Sequence, residues 1–160
     1  MSKSSVEQAE LMLRLFEMRR EPEMRRARHF VMHEFKATTW DEIHYLSGED
    51  GDRWFRMVTS YWEMVAAMVN RGFLDEDLFF DTQGEGLFVW LHVKEVVPEG
   101  RKHLRPTWLW NLEQMAIRQQ AWREKTYVGV DRAIADGSKL KGSKVKEPKV
   151  KKSKKGAKRG

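Results

Sequence analysis

His29 and His33 are four residues apart in a stretch that reads as helix, so both imidazoles leave the same side. That spacing is half of a metal site. Its surroundings argue against one. Arg25, Arg26 and Lys36 share the face, and fixed cations repel a divalent ion. Phe30 follows His29, where a zincin motif needs Glu. A di-iron bundle needs two inward Glu-x-x-His pairs, and the chain contains none. The expectation is two solvent-facing histidines and no metal. Glu49, Asp50 and Asp52 surround Gly51 without the ligand pattern of a calcium loop. Gly84-Glu85-Gly86 lacks the lysine and the length of a phosphate-binding loop. There is no Cys and no Gly-x-Ser-x-Gly, and Ser60 falls in mid-helix, a poor place for a nucleophile. These residues imply a non-enzymatic protein without a cofactor.

What remains is charge, and it is unevenly placed. The 160 residues carry 30 Lys and Arg against 24 Asp and Glu. Residues 137–160 hold ten Lys, one Arg and one Glu, a net charge near +10, whereas the rest of the chain is near −4. The overall +6 is therefore a basic appendage on a mildly acidic body. Lys139, Lys141, Lys144, Lys146, Lys149, Lys151, Lys152, Lys154, Lys155, Lys158 and Arg159 make a row of point charges. With so few apolar residues the segment cannot offset its ordering entropy and reads as disordered. It has no aromatic to stack on bases. Such a row binds polyanions by counterion release, without sequence preference and with steep salt dependence. Nonspecific nucleic acid is the partner this suggests. A solubilising role alone, an anionic surface, or the acidic body itself stay open. A second basic feature, Arg25, Arg26, Arg28 and Lys36, reads as a ridge on a helix, either solvated or meeting phosphates or an acidic partner.

The elements that must carry these residues read as helices. Ser4 with Glu7 and Thr39 with Glu42 have capping-box spacing. Val6, Ala9, Leu13 and Phe16 predict the inward stripe of a first helix over 5–20, widened by Leu11, Leu15 and Met18. Pro22 opens a second, with Met24, Ala27, Val31 and Phe35 inward. Residues 47–51 read as a loop. A long helix over 52–71 is apolar around most of its girth and should be central, ended by Gly72. Asp75 caps a short helix with Leu78, Phe79 and Phe80. Residues 87–97 are rich in Val but have no partner strand, so they read as helix. Pro106 opens a last helix to about residue 125, with Trp108, Leu112, Met115 and Trp122 inward. A further turn over 131–136 would follow. Trp110 is then a candidate exposed aromatic, of the type enriched at interfaces.

The stretch WEMVAAMVNRGFLDEDLFFDTQGEGLFVWLHVKEVVPEGRK from Trp62, with PTWLWNLEQM after it, resembles a group of small helical bacterial proteins known only as a domain of unknown function. The shared features are Asn70-Arg71-Gly72 at a helix end, a Leu-Asp-Glu-Asp-Leu turn over Leu74 to Leu78, and a Trp90 helix followed by Arg101. The resemblance spans about residues 5–125. It implies an all-helical body and a bacterial source, and carries no activity or site residue across.

The sequence thus predicts an all-α protein: a compact bundle of about five or six helices over 1–136, then a disordered Lys-rich tail over 137–160. The opening MSKSSVEQAE has no apolar core of the kind a signal peptide needs. The longest apolar run, Leu87 to Leu91, is far short of the roughly 20 residues of a membrane span. A cytoplasmic location and no transmembrane segment are expected. The functional expectation is a nucleic-acid-associated protein or, alternatively, a helical interaction or structural module with an unknown protein partner.

Overall fold

The computed structural model describes residues 6–45 and 48–135. They are all-α, with no strand. The helices are α1 (Val6–Met18), α2 (Pro22–His29), α3 (Trp40–Tyr45), α4 (Gly48–Asn70), α5 (Glu76–Thr82), α6 (Glu85–Val93), α7 (Val97–His103) and α8 (Trp110–Ala135). A π-helical turn, Phe30–Glu34, continues α2, and a 3-10 turn, Lys94–Val96, links α6 to α7. Residues 87–97 are therefore helical as expected, with a tightened turn near their end. The expected tail, with Lys139 to Arg159, and the Ser4 cap lie outside the described residues.

α4 is the central helix, packed against α2, α3, α6 and α8. Phe55, Val58, Tyr61, Trp62, Val65, Ala66 and Val69 are its buried apolar side chains, and Thr59 is buried among them. Gly72 ends it with a left-handed φ of 74°. Gly72 N–H donates to Val69 O and Phe73 N–H to Met68 O, both at 3.0 Å, which satisfies the last carbonyls. Asp75 caps α5 through the Leu78 amide at 2.9 Å. Glu42 accepts from the Thr39 amide at 3.2 Å, the glutamate half of the expected capping box. Met24, Ala27, Val31 and Phe35 are all buried, as the spacing requires.

Three expectations change. The first concerns α1. Leu15 is its buried residue, while Val6, Leu13 and Phe16 face solvent. The face that docks runs through Gln8, Leu11, Met12, Leu15 and Arg19. Two of these are polar, so hydrophobicity alone selects the wrong side. The Asp75 amide donates to Gln8 Oε1 at 3.2 Å, and Tyr61 Oη donates to Leu15 O at 2.7 Å.

Second, residues 48–51 are the first turn of α4 rather than a loop, and Gly51 is buried. Third, α8 begins at Trp110, not Pro106, and runs unbroken to Ala135, past residue 125. Pro106 instead sits second in a turn closed by Trp108 N–H on Arg105 O at 3.0 Å. Leu109 then takes a left-handed φ of 53° while almost fully buried, which reorients the chain before α8. Such a conformation costs a branched residue roughly 1–3 kcal/mol and persists only where packing enforces it. Trp108 thus precedes the helix. Its indole meets Trp40 edge-on at 5.4 Å, and both pack on Gly100, where a Cβ would collide with the Trp108 ring and lie 2.8 Å from Trp40.

Candidate functional site

Three polar features survive folding as candidates. The first is interior. α6 opens with Glu85, whose carboxylate is gripped by two guanidiniums. Arg19 Nη2 donates to its Oε2 at 2.5 Å, Arg28 Nε donates to its Oε1 at 2.6 Å, and Arg28 Nη2 closes a bidentate pair on Oε2. Arg28 Nη1 also donates to Arg19 O at 3.0 Å, and Arg19 Nη1 to Gln83 Oε1 at 2.6 Å. Arg19 stacks over the Trp62 ring, 5.3 Å from its centroid. The side chains of Arg19 and Glu85 are only 11% and 14% exposed. Burial pushes the Glu85 carboxyl up, but the Arg28 hydrogen bond and the two guanidinium charges outweigh it, so the group stays below its usual value. Glu85 returns the effect by raising Arg28. Burial pushes the adjacent Tyr61 hydroxyl up to about 12. A carboxylate so held has no proton to exchange near neutrality, and the cluster ties α1, α2 and α6 together.

The second candidate is the outer side of α2. Arg25, Arg26, His29, His33 and Lys36 all face solvent. The two imidazoles lie 4.7 Å apart between centroids, as their spacing predicted. Two open clefts flank them and share Arg25 and His29. One, of about 430 Å³, reaches Trp54; the other, of about 360 Å³, reaches Met32 and Glu85. Counter-charges are weakly placed: Glu23 lies 3.6 Å from Arg26 and Glu34 lies 3.6 Å from His29. Arg28 does not belong to this ridge, contrary to expectation, because it turns inward to Glu85.

The third is a shallow groove of about 710 Å³ on the outer side of α4, against the turn before α8. Met57, Met64, Ala67, Trp108 and Leu109 line it, and Arg53, Arg56 and Arg105 stand at its rim. Glu63 is at its wall but is already engaged: it accepts from the Asn111 amide at 3.1 Å and the Leu112 amide at 2.8 Å, capping α8 from a neighbouring helix. Trp110, named from the sequence as an exposed aromatic, is 49% exposed, with Arg101 over its ring at 5.7 Å.

Sequence reasoning missed the Glu85 cluster and this groove. Gly84-Glu85-Gly86 was a visible signal, because a charged residue between two glycines at a helix start is an odd choice for a plain turn. Gly86 is needed there, since a Cβ would lie 2.8 Å from both Met115 Cε and the Trp62 ring. Lys139 to Arg159 lie outside the described residues. Among the described residues no group of three or more His, Asp or Glu is placed to hold a metal ion. None of the described helices is long and apolar enough to cross a membrane.

No curated protein and no solved structure matches the chain. A family model does, over residues 4–119, and it covers every element from α1 into the first half of α8. The chain belongs to that family, the domain of unknown function DUF4760.

Proposed function

We propose that this is a non-enzymatic helical protein that holds polyanions, nucleic acid foremost, through two basic regions. One is the Lys row of residues 137–160; the other is the outer side of α2. The observation that carries the reading is the segregation of arginines on α2. Arg28 is spent on Glu85, whereas Arg25 and Arg26 project into open clefts with at most one distant counter-charge. Cations left free on a folded surface can follow a phosphate backbone, and the Lys row adds reach and charge without sequence preference. Glu85, 14% exposed along its side chain, is saturated by guanidiniums, which suits scaffolding better than proton transfer.

The test is DNA and RNA binding by the full chain and by a truncation ending at Asp136, across a salt series. Each phosphate contact contributes about 0.9 to the slope of log K against log salt on duplex DNA. The full chain should show a steep slope, and the truncation a much shallower one. Arg25→Ala with Arg26→Ala in the full chain should lower the slope by about two contacts. Absence of binding by the full chain near physiological salt sinks the reading.

A second reading, a helical interaction module, is favoured by a separate observation. α1 leaves Val6 74%, Leu13 64% and Phe16 45% exposed. Apolar side chains grouped on one helix face mark an interaction site.

A further inference from the structure

Between the last turn of α7 and the first residue of α8, cations and rings alternate along the surface. Arg101, Lys102, His103, Arg105 and Trp110 follow one another closely in the chain, and all but Arg101 are exposed. Two turn bonds keep the segment tight: Trp108 N–H donates to Arg105 O at 3.0 Å, and Trp110 N–H to Thr107 O at 3.1 Å. Trp110 therefore comes back beside the end of α7, where the Arg101 guanidinium sits 5.7 Å from its ring centroid.

Both exposed rings are held in place. Arg101 is fixed from two sides, with Nε donating to Trp108 O at 3.0 Å and Nη2 to Glu113 Oε2 at 2.7 Å. It braces one face of an indole that is 49% exposed. His103 lies nearly parallel to Trp40, 5.7 Å between centroids and 7° between planes, and Trp40 is itself anchored edge-on against Trp108. Rings fixed in advance lose little freedom when a flat ligand lands on them.

The cations beside them are open. Lys102 and Arg105 have no ion pair among the described residues. The carboxylates of the same segment are engaged: Glu113 accepts from Arg101, and Glu99 accepts from the Trp40 amide at 2.9 Å. Fixed rings flanked by unpaired cations are what a single nucleic-acid strand uses, its bases stacking and its phosphates pairing. A duplex keeps the faces of its bases stacked on one another and offers none to a surface ring. An acidic protein would meet the cations and leave the rings unused.

We propose that the turn between α7 and α8 is a stacking site for unpaired nucleotides, with bases on Trp110 and His103 and phosphates on Lys102 and Arg105. The inference rests on the nucleic-acid reading and extends it from charge to strand state. The Lys row and the α2 arginines hold any nucleic acid, and this turn adds affinity for a single strand alone.

Fluorescence anisotropy with the full chain tests it, using a labelled oligothymidylate and a labelled duplex of equal length at one salt concentration. The readout is the ratio of the two affinities, because the Lys row contributes to both. Trp110→Ala should weaken oligothymidylate binding about 5- to 150-fold, the worth of one stacked base, and leave the duplex unchanged. Trp110→Phe, which keeps a ring, should restore most of the loss. His103→Ala, at a second exposed position, should shift the ratio in the same direction. Lys102→Gln with Arg105→Gln should lower the single-strand salt slope by about 1.4, at about 0.7 per phosphate contact. A ratio that neither Trp110→Ala nor His103→Ala alters overturns the stacking site while polyanion binding stands, and leaves the turn to an acidic protein surface. Absence of binding to either probe by the wild type overturns the nucleic-acid reading and this site together.

Discussion

Arg26 and Arg28 stand two residues apart on α2 and meet different environments. Arg28 lies over α6, donates two hydrogen bonds to Glu85, and is 25% exposed along its side chain. Arg26 is 66% exposed, with Glu23 at 3.6 Å. Helix geometry accounts for the split: two residues on one helix diverge by about 200°. The same side chain thus serves as an internal tie on one side and as a free cation on the other. The inner group depends on its partner, since a buried guanidinium without a counter-charge is costly. The outer group is tuned by water and salt. Stability should be concentrated in the first, and binding in the second.

The strongest way to break the comparison is Glu85→Ala. It leaves Arg19 and Arg28 facing each other with their carboxylate gone, and loss of one member of a buried pair costs about 3–5 kcal/mol. Urea unfolding should show that loss. The triple variant Arg19→Met, Arg28→Met, Glu85→Leu should recover most of it, since an apolar replacement of a whole buried charged group is often neutral. Failure of the triple variant to recover would mean that the backbone bond to Arg19 O and the Gln83 contact carry the cluster instead.

A pH series sharpens the same contrast. Glu85 is held below its usual value of 4.5, so its contribution is complete above that value and is lost as pH falls through the lower folded-state value. Stability should fall below about pH 4.5, and Glu85→Gln should flatten that acid limb. Glu23 and Glu42 are also lowered, by hydrogen bonds from Trp54 and from the Thr38 and Thr39 amides, so part of the limb remains. At the other end Tyr61 is raised to about 12. Its contribution is complete below its ordinary value of 10.0 and is lost as pH rises toward about 12, a loss that Tyr61→Phe should remove.

The helical class, the central helix, the Gly72 and Asp75 caps and the inward face of α2 were legible because each rests on local spacing. The face of α1 was not, because its docking side includes Gln8 and Arg19, whose partners lie more than sixty residues away. The start of α8 was hidden for a related reason. Its cap, Glu63, comes from α4, and the turn before it places Leu109 in a conformation that sequence assigns to glycine. Of the candidate sites, the α2 cations and the His29–His33 pair could be read directly. The departure of Arg28 from the ridge could not, because it depends on where α6 places Glu85.

The smallest expected effect on stability is also the most informative about function. Arg25 and Arg26 are exposed and lack a close partner, so Arg25→Ala with Arg26→Ala should shift unfolding stability by no more than about 0.5 kcal/mol per site. Binding to DNA or RNA should weaken in the same variant, most strongly at low salt, where exposed charges act furthest. The paired measurement separates two ways of losing binding. A variant that loses stability and binding together would show that the outer arginines also hold the fold, and the division of α2 into a tie and a contact would fail. Full stability with weakened, salt-flattened binding fits a helix whose inner arginine fixes its position and whose outer arginines meet phosphate.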